Sequence, residues 1–206
     1  MTADIGSREM PFPSRIILDL PDWLSALGES KMQIPELSER MTFVIGLAQR
    51  NIEHKTGGPF AAAIFTANDH RLVAVGLNRV EPLNCSVAHA EIMAFMLAQQ
   101  RLGSFDLGRD PAVPHELVSS AQPCAMCAGA TLWAGVTRLV YGATAGDVEG
   151  ILGFDEGPLP REWLFEFKRR GIEILPEYCR TEARTVLRNY SQMRGTIYNS
   201  RQGFVT

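Results

Sequence analysis

His89-Ala90-Glu91 and, farther along, Pro123-Cys124-Ala125-Met126-Cys127 set one imidazole, two thiols and one carboxylate in short, ordered motifs. One His and two Cys suit a tetrahedral Zn²⁺, and three protein ligands leave the fourth position to water or substrate, which separates a catalytic zinc from a closed structural one. Water held there falls from a pKa of about 15.7 to about 7, so a hydroxide nucleophile exists at neutral pH. Glu91, two residues from the ligating His89, is placed to carry that water's proton rather than to ligate.

These side chains need elements that bring them together. After His89 the apolar residues Ile92, Phe95 and Met96 recur at helical spacing, which predicts a helix with His89 and Glu91 in its first turn. The Ala-rich run Cys124–Trp133 also reads as a helix, with Pro123 suited to its start and Gly135 just past its end. Cysteines at i and i+3 share one helix face, so both sulfurs reach one ion. Thiolates gain about 0.3–1 kcal/mol near a helix N-terminus. A lone Cys-x-x-Cys would fit half a structural zinc site or a redox pair. A closed structural site here needs Cys85 or Cys179 as fourth ligand and leaves Glu91 without a role.

The 206 residues fit one domain, and no apolar run approaches the ~18–20 residues that cross a bilayer. Met1-Thr2-Ala3-Asp4 lacks the basic and apolar regions of a signal peptide, so the expected compartment is the cytoplasm. Four cysteines, two of them given to metal, make no disulfide framework. A net charge of −3 argues against strong general affinity for nucleic acid. Arg180, Arg184, Arg188 and Arg194 concentrate basic charge, but they interleave with Glu182 and read as a solvated helix face.

Residues 1–34, with Pro11, Pro13, Pro21 and the apolar Ile16-Ile17-Leu18, read as an extension with a short helix at Asp22–Leu27; residues 35–206 form the domain proper. Residues 35–54 pattern as a long amphipathic helix ended by Gly57-Gly58. Phe60–Thr66 and Leu72–Gly76, joined by Asn68-Asp69-His70, predict a hairpin. Strands near Glu116–Ser120, Leu139–Gly142 and Ile172–Leu175 and helices at Arg161–Arg170 and Thr181–Met193 follow. The order gives an α/β fold, a mixed sheet with helices on both faces and the metal helices starting where strands end.

With these motifs the chain resembles the cytidine deaminase superfamily, and within it the bacterial guanine deaminases, over about residues 40–200. The likeness rests on His89-Ala90-Glu91 and Pro123-Cys124-Ala125-Met126-Cys127, and on four further segments. These are Gly57-Gly58-Pro59-Phe60, Gly76-Leu77-Asn78-Arg79, Gly153-Phe154-Asp155-Glu156-Gly157-Pro158, and Ile197-Tyr198-Asn199-Ser200-Arg201. The resemblance implies a three-layer α-β-α sandwich with a five-stranded mixed sheet, a resident Zn²⁺, a nucleobase substrate and a homodimer with helices near the metal at its interface. It implies that Asn78 binds the base and that Glu156 contacts the guanine edge and helps move protons. Phe60, Ala90 and Trp133 are expected in the base pocket, and Tyr198 as a lid residue.

The expected reaction is hydrolytic deamination of guanine to xanthine and ammonia, with Glu91 acting first as base and then as acid. Guanosine, ammeline and cytosine are alternative substrates of similar shape. A tRNA adenosine deaminase is a more distant rival, because Leu187-Arg188-Asn189-Tyr190-Ser191-Gln192-Met193-Arg194 is a poor match to the basic helix expected there. A zinc-stabilised binding module would leave the intact Glu91 unexplained.

Overall fold

The computed structural model describes residues 15–27 and 32–200. Along the chain run α1 (Leu37–Glu53), β1 (Ala61–Thr66), β2 (Leu72–Leu77), α2 (Ala90–Leu102), β3 (His115–Ala121), α3 (Ala125–Ala134), β4 (Arg138–Ala143), α4 (Ala145–Leu152), α5 (Trp163–Arg169), β5 (Glu173–Leu175) and α6 (Arg180–Gln192). The strands form one five-stranded mixed sheet in the order β2-β1-β3-β4-β5. β1 is antiparallel to β2 and β3, whereas β3, β4 and β5 run parallel.

The two-residue period of β1 divides the core. Ala61, Ala63 and Phe65 join Val44, Leu47 and Ala48 of α1 and Ala183 and Leu187 of α6. Ala62 and Ile64 join Ala94, Phe95 and Ala98 of α2, Ala128 of α3 and Phe167 of α5. Helices α1, α4 and α6 therefore cover one face and α2, α3 and α5 the other, giving three layers.

Gly76 sets how closely α2 lies on the sheet. A Cβ at this position would stand 2.0 Å from the Ala90 carbonyl oxygen and 2.4 Å from the Ala94 nitrogen. The backbone of β2 thus touches the backbone of α2 beside His89 and Glu91.

Helix α4 is absent from the sequence reading. Gly146 and Gly150 weaken its helical pattern, yet Thr144 and Asp147 form a capping box at its start. Asp147 also accepts from Arg180 Nε at 2.7 Å and Nη2 at 2.9 Å, and Arg184 Nε lies 3.2 Å away. Two of the arginines read as a solvated face therefore tie α6 to α4.

Asp22–Leu27 forms a short 3₁₀ helix. Met32 and Ile34 hydrogen-bond beside β2, through Leu72 N–H to Met32 O at 2.8 Å and Ile34 N–H to His70 O at 3.0 Å. Pro11, Pro13 and the tail from Arg201 onward lie outside the described residues. Among the described residues no helix is long and apolar enough to cross a membrane.

Candidate active site

The site forms where β2 and β3 end and α2 and α3 begin. His89 is the N-cap of α2 and Cys124 the N-cap of α3, both in extended conformation, and Cys127 sits in the first turn of α3. His89 Nδ1 lies 3.5 Å from Cys124 Sγ and 3.6 Å from Cys127 Sγ. All three donor atoms fall within 4.8 Å of one another. Zinc–nitrogen and zinc–sulfur bonds of about 2.0 and 2.3 Å at a tetrahedral angle require an N···S edge of about 3.5 Å, so both N···S separations fit Zn²⁺. Cys85 and Cys179 are not part of this group.

Charge is concentrated here. Hydrogen bonding from Cys127 outweighs burial and, with His89, draws the Cys124 thiol down to about 4. The same Cys124 contact and burial push Cys127 up. Burial lowers the pKa of His89, but the Cys124 hydrogen bond and the charge of Glu91 prevail and raise it.

Glu91 is buried in the first turn of α2, and its Oε1 accepts from Ser119 Oγ of β3 at 3.4 Å. Burial raises its pKa, and the negative charge of Cys124 adds to the effect. Glu156 belongs to the loop after α4, and its backbone carbonyl accepts from Ala125 N–H at 2.9 Å, tying that loop to the metal helix. Burial, then Cys124 and Glu91, push the Glu156 carboxyl up to about 8.

A cavity of about 130 Å³ opens between them, lined by Phe60, Asn78, His89, Glu91, Cys124 and Glu156, with Tyr198 and Asn199 arriving from the tail. Asn78 is buried at the end of β2, and its Oδ1 accepts from Val80 N–H at 3.3 Å, which leaves Nδ2 free to donate. Phe60, Phe154 and Tyr198 form an aromatic wall, with ring centroids 5.6 Å apart for the first pair and 4.6 Å for the second. The buried Tyr198 hydroxyl has no hydrogen-bond partner among the described residues. It stands 2.5 Å from where a Cβ on Gly58 would lie, and Asn78 Oδ1 stands 3.1 Å from the same point.

Eight of the ten sequence-predicted residues thus come together, seven lining the cavity and Cys127 completing the donor group behind it; Ala90 and Trp133 do not join them. Trp133 is 85% exposed on the outer side of α3 and does not line the cavity, which corrects its expected pocket position. At about 100° per residue it lies some 240° around the helix from Cys127, whereas Thr131 and Ala134 share the buried face. Ala90 is fully buried under β2 against Gly76, so its side chain serves the packing of α2. Ser119, Gln122, Phe154, Asp155, Asn199 and Ser200 line the cavity without having been singled out. For Phe154, Asp155, Asn199 and Ser200 the signal was present, since they lie inside the segments that carried the resemblance.

The family model for the cytidine and deoxycytidylate deaminase zinc-binding region matches residues 35–143. Guanine deaminase of Bacillus subtilis (strain 168) is 35% identical over 118 residues, which span 57% of this chain and 70% of that protein. A tRNA-specific adenosine deaminase of Buchnera aphidicola subsp. Schizaphis graminum (strain Sg) is 28% identical over 120 residues, 58% of this chain and 72% of that one. A solved structure of guanine deaminase from Nitrosomonas europaea shares 41% identity at a TM-score of 0.83, covering 89% of this chain and 100% of that chain. The His/Cys/Cys donor set, the buried Glu91 and these likenesses agree, and the chain belongs to the cytidine and deoxycytidylate deaminase zinc-binding family as a guanine deaminase-like member.

Proposed function

We propose that the protein is a zinc-dependent guanine deaminase that converts guanine and water to xanthine and ammonia. The observation that carries this reading is the cavity itself: a base-sized space into which His89 and Cys124 of the metal donor set, the buried Glu91 carboxylate, the Asn78 amide and Glu156 all open. His89, Cys124 and Cys127 would hold Zn²⁺, which supplies a water acidic enough to attack at neutral pH.

Glu91 takes one proton from the attacking water and delivers it to the ring nitrogen beside C2, then takes the second from the new C2 hydroxyl and passes it to the amine, which leaves as ammonia as the xanthine carbonyl forms. Ser119 holds the carboxylate of Glu91 in place. Asn78 Nδ2 donates to an acceptor on the base, and Glu156 meets the N1 and exocyclic N2 edge that distinguishes guanine from adenine. Tyr198, with its unpartnered hydroxyl and its ring on Phe154, closes over the base and offers a further donor. Burial of these polar groups gives selectivity, because an analogue lacking the matching edge leaves them unpaired.

The volume of about 130 Å³ under Tyr198 and Asn199 favours a free base over guanosine or a tRNA loop. The protein works as a cytoplasmic homodimer in purine breakdown. Support for self-association is the exposed apolar surface on the adjoining α2 and α3: Met96, Leu102, Trp133 and, just beyond α2, Phe105 at 86% exposure.

The test is ammonia release from zinc-replete protein offered guanine, guanosine, ammeline, cytosine and a tRNA anticodon stem-loop containing adenosine. Selective turnover of guanine is expected. Turnover of the stem-loop without turnover of guanine overturns the reading.

A further inference from the structure

The segment before α1 reaches the base-binding strand end through a chain of buried polar groups. Asn51 is a wholly buried amide in the apolar face of α1. Its Nδ2 donates to Gly58 O at 2.8 Å and to Asn78 O at 3.1 Å. Its Oδ1 accepts from Thr56 Oγ1 at 2.8 Å, and Thr56 Oγ1 in turn accepts from Trp23 Nε1 at 3.0 Å.

Direction in this chain is fixed by chemistry. An indole nitrogen only donates, so the Thr56 hydroxyl gives its own hydrogen to Asn51, whose Oδ1 at 2.8 Å lies nearer than its backbone O at 3.3 Å. That in turn commits Asn51 Nδ2 to the two carbonyls. No group is left unsatisfied, which is what makes a buried polar network rigid rather than costly.

Trp23 is anchored at its outer end. Its ring stacks on His54 with centroids 5.2 Å apart, and Arg50 lies over it at 4.6 Å. A second tie runs in parallel: Arg79, next to Asn78, donates to Thr56 O and to Asp19 O, the latter at 3.3 Å. The backbones at Gly57 and Asn78 are also in direct contact, since a Cβ on Gly57 would stand 1.8 Å from Asn78 O. With its N–H on Phe60 O at 3.0 Å and one lone pair of Oδ1 on Val80 N–H, Asn78 is held in place while Nδ2 stays available to the cavity.

We propose that Trp23, Thr56 and Asn51 are positioning residues that orient Asn78, so that residues 15–27 help set affinity for the base. This rests on the reading of Asn78 as the base-binding amide. Nothing in the relay touches the metal donors or Glu91, so its loss acts on binding and not on proton transfer.

The experiment uses the full chain, zinc-loaded, as wild type, Thr56→Val, Thr56→Ser and Trp23→Phe. Thr56→Val keeps shape but removes the hydroxyl that links both neighbours. Losing one such link is expected to raise KM for guanine about three- to tenfold with kcat changed less than about twofold. Thr56→Ser restores the wild-type KM, and Trp23→Phe, which keeps the stack but removes the donor, raises it about two- to threefold. In an Asn78→Ala background Thr56→Val adds nothing further to KM, which a merely structural role would not produce.

A wild-type KM in Thr56→Val, or an equal loss with and without Asn78, overturns the proposal. Should Thr56→Val not fold, Trp23→Phe in both backgrounds decides. Amide exchange at Asn78, which needs no substrate, is expected to quicken in Thr56→Val and Trp23→Phe. Unchanged exchange sinks the relay, whereas quickened exchange in a protein that does not turn over guanine sinks only the substrate reading.

Discussion

The side chain of Asn199 grips the loop that carries Glu156 on both sides: its Oδ1 accepts from Asp155 N–H at 2.9 Å and its Nδ2 donates to Gly153 O at 2.8 Å. Neighbouring Tyr198 rests on Phe154 of the same loop. The tail and the loop therefore close the cavity as one unit. Asn199→Ala is expected to lower kcat/KM for guanine about tenfold, the loss of two modest hydrogen bonds. The urea midpoint should stay near wild type, because these bonds are exposed. Steady-state kinetics beside a urea melt checks both.

Glu91 lies between the metal donors and Ser119 but is not a ligand. Glu91→Ala is therefore expected to keep its zinc and to lose turnover by about 10²–10⁴-fold, the usual worth of a positioned general acid–base group. Zinc content by atomic absorption and ammonia release on the same preparation separate the two properties. A variant with most of its activity intact would sink the assignment.

Gly76 is the position where β2 touches α2. In Gly76→Ala the new methyl group meets backbone atoms of Ala90 and Ala94, which cannot rotate away, so α2 must lift. The expected cost is about 2–3 kcal/mol, as for overpacked cores. Because His89 starts that helix, zinc affinity should weaken along with the melting temperature. Calorimetry and a competitive zinc titration test this pair of effects.

Asp147 joins the cap of α4 to Arg180. The Arg180 hydrogen bonds hold its carboxyl well below the ordinary value of 3.8. The unfolded chain then binds more protons in acid than the folded one. The contribution of this carboxylate is complete above about pH 4 and is lost as the pH falls through the depressed folded value. Asp147→Ala is expected to cost about 1–2 kcal/mol at pH 7, the scale of a lost helix cap with its ion pair, with the difference narrowing toward pH 2. Urea melts across that range would show it.

The metal centre was legible because its parts are local. Spacings of two and three residues at helix starts fix where side chains point whatever the rest of the chain does. Helix α4 escaped notice because Gly146 and Gly150 dilute its pattern, although Thr144 and Asp147 announced its start. Trp133 was misplaced on likeness alone; counting turns from Cys127 turns it away from the metal. The bonds among Trp23, Thr56, Asn51 and Asn78 join residues up to 33 positions apart, and no periodicity records a contact of that kind.

The two walls of the cavity that meet the base have separate origins. The donor set and Glu91 are fastened to a sheet whose close backbone contacts tolerate little change. The groups proposed to meet the ring are also tied from outside that frame, through Trp23 and Asp19 on one side and Asn199 on the other. Substitutions in those flanking stretches are therefore expected to change which base is preferred before they change the hydrolytic chemistry.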